Sequence, residues 1–115
     1  MTTLQEVELF LKEFKTKMKI WDILFRDDRG KNAQALVDLE LRPIERISIL
    51  ENLDSIDYSQ GPLEDIVYGI SKMWVFGKNV KKKEIYIKIS LGLIGNNVLC
   101  ISFHLAEHAM IYPLK

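Results

Sequence analysis

Apolar residues at the start of the chain recur at three- and four-residue intervals: Leu4, Val7, Phe10, Leu11, Phe14 and Met18. That spacing places them on one side of an α-helix. Thr3-Leu4-Gln5-Glu6 has capping-box spacing, so a first helix is predicted from about Thr3 to Met18. Ile20 to Arg26 is β-branched and aromatic and runs into Asp27-Asp28-Arg29-Gly30, which predicts a short strand followed by a turn. From Asn32 to Leu41 the pattern supports two readings. Ala33, Ala35, Val37, Leu39 and Leu41 alternate as in a strand, but the Ala-, Leu- and Gln-rich composition with Asn32 as a cap favours a helix. Pro43 opens a further predicted helix to about Leu53, because proline's missing N–H has no partner in the first turn anyway.

Gly61-Pro62 reads as a break followed by a short helical turn, and beyond it the periodicity changes to two. Met73 to Phe76, Glu84 to Leu91 and Asn97 to Phe103 are short, aromatic and β-branched, which predicts a three-stranded antiparallel meander. The fold class expected is therefore α+β, with N-terminal helices packed on a C-terminal antiparallel β-sheet. The 115 residues contain no repeat or linker, and one domain spanning positions 1–115 is expected.

Alternate side chains of a strand share a face. Ile85, Ile87 and Ile89 occupy one face of the middle strand of the predicted meander, leaving Tyr86, Lys88 and Ser90 on the other. Leu99, Ile101 and Phe103 form the corresponding apolar face of the last strand, leaving Cys100, Ser102 and His104 opposite. A turn near Gly95 would set Ile89 beside Ile101, Lys88 beside Ser102 and Tyr86 beside His104, and a one-residue slip would turn one apolar face outward.

Composition adds exclusions. No run of about 18 apolar residues exists to span a membrane, and the acidic Glu6 and Glu8 with no basic leader predict that there is no signal peptide. A lone cysteine, Cys100, within an apolar stretch suits the core of a cytoplasmic protein. The net charge is zero but unevenly spread. Positions 34–66 hold two basic residues against eight acidic ones, a balance of −6, and positions 72–115 hold seven lysines against two glutamates, a balance of +5. The basic third would face a polyanion, and Lys78, Lys81, Lys82 and Lys83 are the candidate contacts to an RNA backbone.

Tyr86, Lys88 and His104 together have the groups needed to cleave RNA without a metal or other cofactor. A base removes the proton of the ribose 2′-hydroxyl, an acid protonates the leaving 5′-oxygen, and a fixed cation stabilises the phosphorus-centred transition state. Histidine suits either proton role, lysine the third, and tyrosine can donate a hydrogen bond or stack on a base.

These residues also carry a family resemblance. Ile85-Tyr86-Ile87-Lys88-Ile89, a short turn, then Val98-Leu99-Cys100-Ile101-Ser102-Phe103 resembles the C-terminal hairpin of the MqsR toxins, within the RelE-like group of bacterial mRNA interferases. Leu39-Glu40-Leu41-Arg42-Pro43, the segment ending Ile49-Leu50-Glu51-Asn52-Leu53, and Asp57-Tyr58-Ser59-Gln60 resemble that family's preceding succession, so the likeness runs from about Gln34 to His104. The resemblance implies a small α+β endoribonuclease toxin acting on mRNA, free or on the ribosome, and a cognate antitoxin protein as partner. Tyr86 matches a family active-site tyrosine, and His104 falls where MqsR has a functional lysine. Gln60 falls where the family has another catalytic lysine, and Met73 where it has a glutamine; both are departures. Lys88 is assigned from its face and not from the family.

Both histidines lie in His104-Leu105-Ala106-Glu107-His108, which is also the inverted zinc-protease signature. That signature needs a helix and a further ligand downstream, and only seven residues follow His108, none of them a carboxylate. A metal is therefore not expected. Glu107 is read as part of a surface turn before a tail docked by Met110, Ile111 and Tyr112, and His108 as a second proton-transfer candidate. The alternatives to the toxin are a non-catalytic protein-binding module or degenerate toxin using the acidic middle surface and, less favoured, a zinc hydrolase.

Overall fold

The computed structural model describes residues 2–28, 30–66, 69 and 71–115. Helix α1, Leu4–Trp21, begins as its sequence dictates: the Thr3 side chain accepts from the Glu6 amide, and the Glu6 carboxylate accepts from the Thr3 amide. Its buried stripe of Val7, Phe10, Leu11, Phe14 and Met18 is the periodic set read from the sequence without Leu4, which is exposed in the first turn. The helix continues past Met18 and takes in Ile20 and Trp21, so only Ile23–Phe25 remains as strand β1.

Helices α2, Gly30–Asp38, and α3, Glu45–Glu51, follow, and a 3₁₀ turn at Ser55–Asp57 leads into β2, Tyr58–Leu63. Strands β3, Met73–Val80, β4, Lys83–Ser90, and β5, Val98–Leu105, complete the chain. The fold is α+β, with α1 packed on one face of a sheet ordered β1-β5-β4-β3-β2 and α2 beside its β5 edge. Two expectations about the sheet are corrected. It has five strands, and it is mixed, because β1 runs parallel to β5 while the other pairs are antiparallel. Gly61-Pro62 does not break the chain but lies within β2, joined by a cis peptide bond. Proline is tolerated there because β2 is an edge strand. The helical turn expected after it falls largely on residues 67, 68 and 70, outside the described residues, although the Gly69 amide does bond the Asp65 carbonyl at 2.9 Å.

Asn32 is not a helix cap. It lies inside α2, buried, with its amide turned to the edge of β5 beyond the end of β1. Its Nδ2 donates to the carbonyls of Arg26 and Ile101, at 2.9 and 3.0 Å, and its Oδ1 accepts from the Phe103 amide at 3.0 Å. One side chain thus supplies the donor and acceptor that a longer β1 would have supplied to the Ile101 carbonyl and the Phe103 amide.

The α1 stripe meets Phe76, Ile85, Ile87, Ile89, Val98, Cys100 and Phe103 in a single core, with Phe10 stacked on Trp74 at 4.6 Å between ring centroids. The expected face of β5 is half right. Phe103 points to the core, but Ile89 lies opposite Cys100 instead of Ile101, and the register shifts between Lys88 and Ile89. Ile101 is the extra residue of a β-bulge. Before it, Val98 and Cys100 face the core instead of Leu99; after it, Ser102 and His104 face the other way, as expected. Cys100 is therefore a core residue, and burial pushes its thiol up to about 12.

Candidate functional site

On the sheet face away from α1, β4 and β5 pair Tyr86 with His104 and Lys88 with Ser102, the pairing expected from the sequence. The Tyr86 and His104 rings stack with centroids 5.2 Å apart and planes 13° from parallel. The Lys88 ammonium lies 5.8 Å from the Tyr86 ring centroid, within cation–π range. These three groups line an open cleft of about 820 Å³. Its other walls come from Gly30, Lys31 and Asn32 at the start of α2, Ser59 and Gln60 on β2, and residues 107–111 of the C-terminal segment.

The proton states follow from the contacts. His104 Nδ1 lies 2.9 Å from the Leu105 carbonyl, which can only accept, so Nδ1 carries the hydrogen. In the neutral ring that leaves Nε2 as the basic nitrogen. Partial burial, and secondarily the negative charge of Glu107, raise Tyr86 above the usual phenol range. At neutral pH it is a protonated hydrogen-bond donor.

The C-terminal segment forms one wall of the cleft. Glu107 pairs with Lys31 at 2.8 Å, the Met110 amide donates to Glu84, and Ser59 Oγ donates to the Ile111 carbonyl at 2.7 Å. The Tyr112 hydroxyl donates to Glu84 at 2.7 Å, and burial together with that carboxylate pushes the phenol pKa up. Tyr112 covers Gly77, the residue opposite Tyr86 in the neighbouring strand, so closely that a Cβ there would collide with the phenol. The expected docking of the tail is thus carried by Tyr112 and a half-buried Met110, whereas the Ile111 side chain stays exposed.

His108 and Gln60 both border the cleft. Met73 lies on β3 opposite Ser90 and Leu63 and does not line it. The four lysines proposed for the RNA backbone do not line it either. Lys78 pairs with Asp57 at 3.0 Å and donates to the Asn52 carbonyl. Lys81 donates to the carbonyls of Leu39 and Glu40, just beyond α2. Lys82 is exposed in the β3–β4 turn and Lys83 at the first residue of β4. Lys31, Ser59 and Glu107 were not singled out as working residues by the sequence, since only the tertiary fold brings them to the cleft.

The helix that the H-x-x-E-H signature needs is not formed: His104 lies in β5, and the chain after Leu105 is non-helical. Among the described residues, no group of three or more His, Cys, Asp or Glu side chains is placed to hold a metal ion. Nor, among them, is any helix long and apolar enough to cross a membrane. Comparison with known proteins finds no family model, no curated protein and no solved structure that matches the chain.

Proposed function

We propose that the protein is an MqsR-like toxin of the RelE superfamily, a cytoplasmic, metal-independent endoribonuclease acting on mRNA and held in check by a cognate antitoxin. The observation that supports this reading is the stacked Tyr86–His104 pair with Lys88 beside it in an open cleft. His104 Nε2 accepts the proton of a ribose 2′-hydroxyl as its oxygen attacks the adjacent phosphorus. The bond from phosphorus to the 5′-oxygen breaks, leaving a 2′,3′-cyclic phosphate and a 5′-hydroxyl. His108 at the rim or the protonated Tyr86 supplies the proton to the leaving oxygen. The Lys88 ammonium offsets the charge that develops on the phosphorane oxygens. The rings also present a flat surface suited to stacking with an unpaired base.

Cleavage of an mRNA, naked or ribosome-bound, should persist in excess chelator and leave cyclic-phosphate ends. His104→Ala should lower the rate about 100-fold or more, the usual loss on removing a general base. Expression should arrest growth, and the same variant should relieve the arrest. Equal cleavage by His104→Ala and Tyr86→Phe would remove the site. The alternative, a non-catalytic protein-binding module or degenerate toxin, is favoured by the internal contacts that occupy Lys78 and Lys81. Protein that folds and binds its partner but never cuts either form of mRNA would establish it.

A further inference from the structure

The cleft contains an anion of its own. Lys31, Lys88, His104 and His108 line it, and among the described residues the only carboxylate in its lining is Glu107, fixed on Lys31 at 2.8 Å. Both partners of that pair are well exposed, at 65% and 58% of their side-chain surface. Exposed ion pairs are weak and easily exchanged for another anion. The segment that carries Glu107 is fixed on both sides. The Ala106 amide donates to the Glu84 carbonyl, and the Met110 amide to the Glu84 carboxylate. The intervening residues Glu107, His108 and Ala109 are exposed. A rotation of the Glu107 side chain therefore uncovers Lys31 without undocking the tail. The field of the carboxylate reaches beyond Lys31, since it helps raise Tyr86, and the hydrogen bond and charge of Lys31 hold Glu107 itself below the usual carboxylate range.

We infer that Lys31 is a substrate-phosphate contact of the cleft, and that Glu107 occupies it in the empty protein as an internal substitute for an RNA phosphate. The inference rests on the ribonuclease reading above and adds to it a further binding residue and a competing anion. An entering phosphodiester takes the place of the Glu107 carboxylate on Lys31. Ligands that offer no phosphate to Lys31 leave the substitute in place, which favours polyanions over neutral ligands that could also stack on Tyr86.

The test is binding of a fluorescent, uncleavable 2′-O-methyl oligoribonucleotide to the full chain at low salt, followed by anisotropy. Glu107→Gln should tighten binding about three- to fivefold, the scale set by an exposed ion pair. Lys31→Ala should weaken it by a similar factor and lower the salt slope by about 0.7, the value for one phosphate contact on a single strand. In the Lys31→Ala background, Glu107→Gln should give no gain. Glu107→Gln binding as weakly as Lys31→Ala would overturn the inference, because the carboxylate would then be positioning Lys31 for substrate. A gain that survives without Lys31 would overturn it too, as a general effect of charge. Wild-type binding with no gain in Glu107→Gln would remove the masking role alone, whereas no binding by any form would remove the ribonuclease reading with it.

Discussion

The two faces of β4 and β5 are built from the same few residues of chain and differ in almost every physical respect. On the helix side, Ile85, Ile87, Ile89 and Phe103 are completely buried against α1. On the other, Tyr86, Lys88 and His104 are only half covered and border an open cleft. The dry face is held by dispersion and the removal of apolar surface from water, and any lost volume weakens it. The wet face is held by a stack, a cation near a ring and a tail tied down by hydrogen bonds, each worth little by itself. The comparison separates stability from activity: the isoleucines keep the strands in place, and their neighbours in sequence are free to carry reactive groups.

Substitutions on the two faces should therefore fail in different assays. Phe103→Ala should cost about 3–5 kcal/mol in denaturant unfolding, as deletion of a buried aromatic does. His104→Ala, one residue away, should change stability by less than about 1 kcal/mol while lowering cleavage about 100-fold or more. If the two variants unfold at the same denaturant concentration, the division between the faces is wrong. Gly77→Ala comes next in size. It would drive a methyl group into Tyr112, with an expected loss of about 1–3 kcal/mol by overpacking, and it would loosen residues 107–112. Faster amide exchange confined to that segment and to Glu84 would distinguish it from a core defect.

The smallest effect concerns acid. Arg46 is buried, bonds both oxygens of Asp27 at 2.7 and 2.8 Å and lies 3.8 Å over the Phe25 ring, so its hydrogen bond and charge hold the Asp27 carboxyl below its ordinary 3.8. A carboxylate with a depressed folded value contributes stability that is complete above its unfolded pKa and is lost as pH falls through the folded one. Stability measured downward from pH 5 should therefore fall less steeply in Arg46→Met than in the wild type, although the variant is less stable throughout. Because Asp27 is partly exposed, solvent screening keeps this difference modest.

What could be read in the sequence was whatever repeats at short range. The first helix has a capping box and five buried residues at helical spacing, and Tyr86 pairs with His104 because apolar alternation fixes the register at that end of the hairpin. Long-range features left no such mark. Strand β1 is three residues long and bonds a parallel partner about 75 positions away, and β2 contains the Gly-Pro pair that ordinarily signals a break. The bulge was invisible because Leu99, Cys100 and Ile101 are all apolar and fit either phase. Of the cleft, the sequence showed the part on one hairpin together with Gln60 and His108, and missed Lys31, which meets Glu107 only through the packing of α2 beside β5.

The bulge at Ile101 has a consequence for how such a chain can change. It works as a phase shift: the half of β5 before it answers to one inside–outside rule and the half after it to the other. Deleting Ile101 itself would set Cys100 and Ser102 against the consecutive Ile89 and Lys88, restoring regular pairing with Val98 and Cys100 still in the core and Ser102 and His104 still facing the cleft. Loss of that one codon would thus leave the histidine facing its tyrosine, and the bulge is a place where the strand can shorten without losing the cleft.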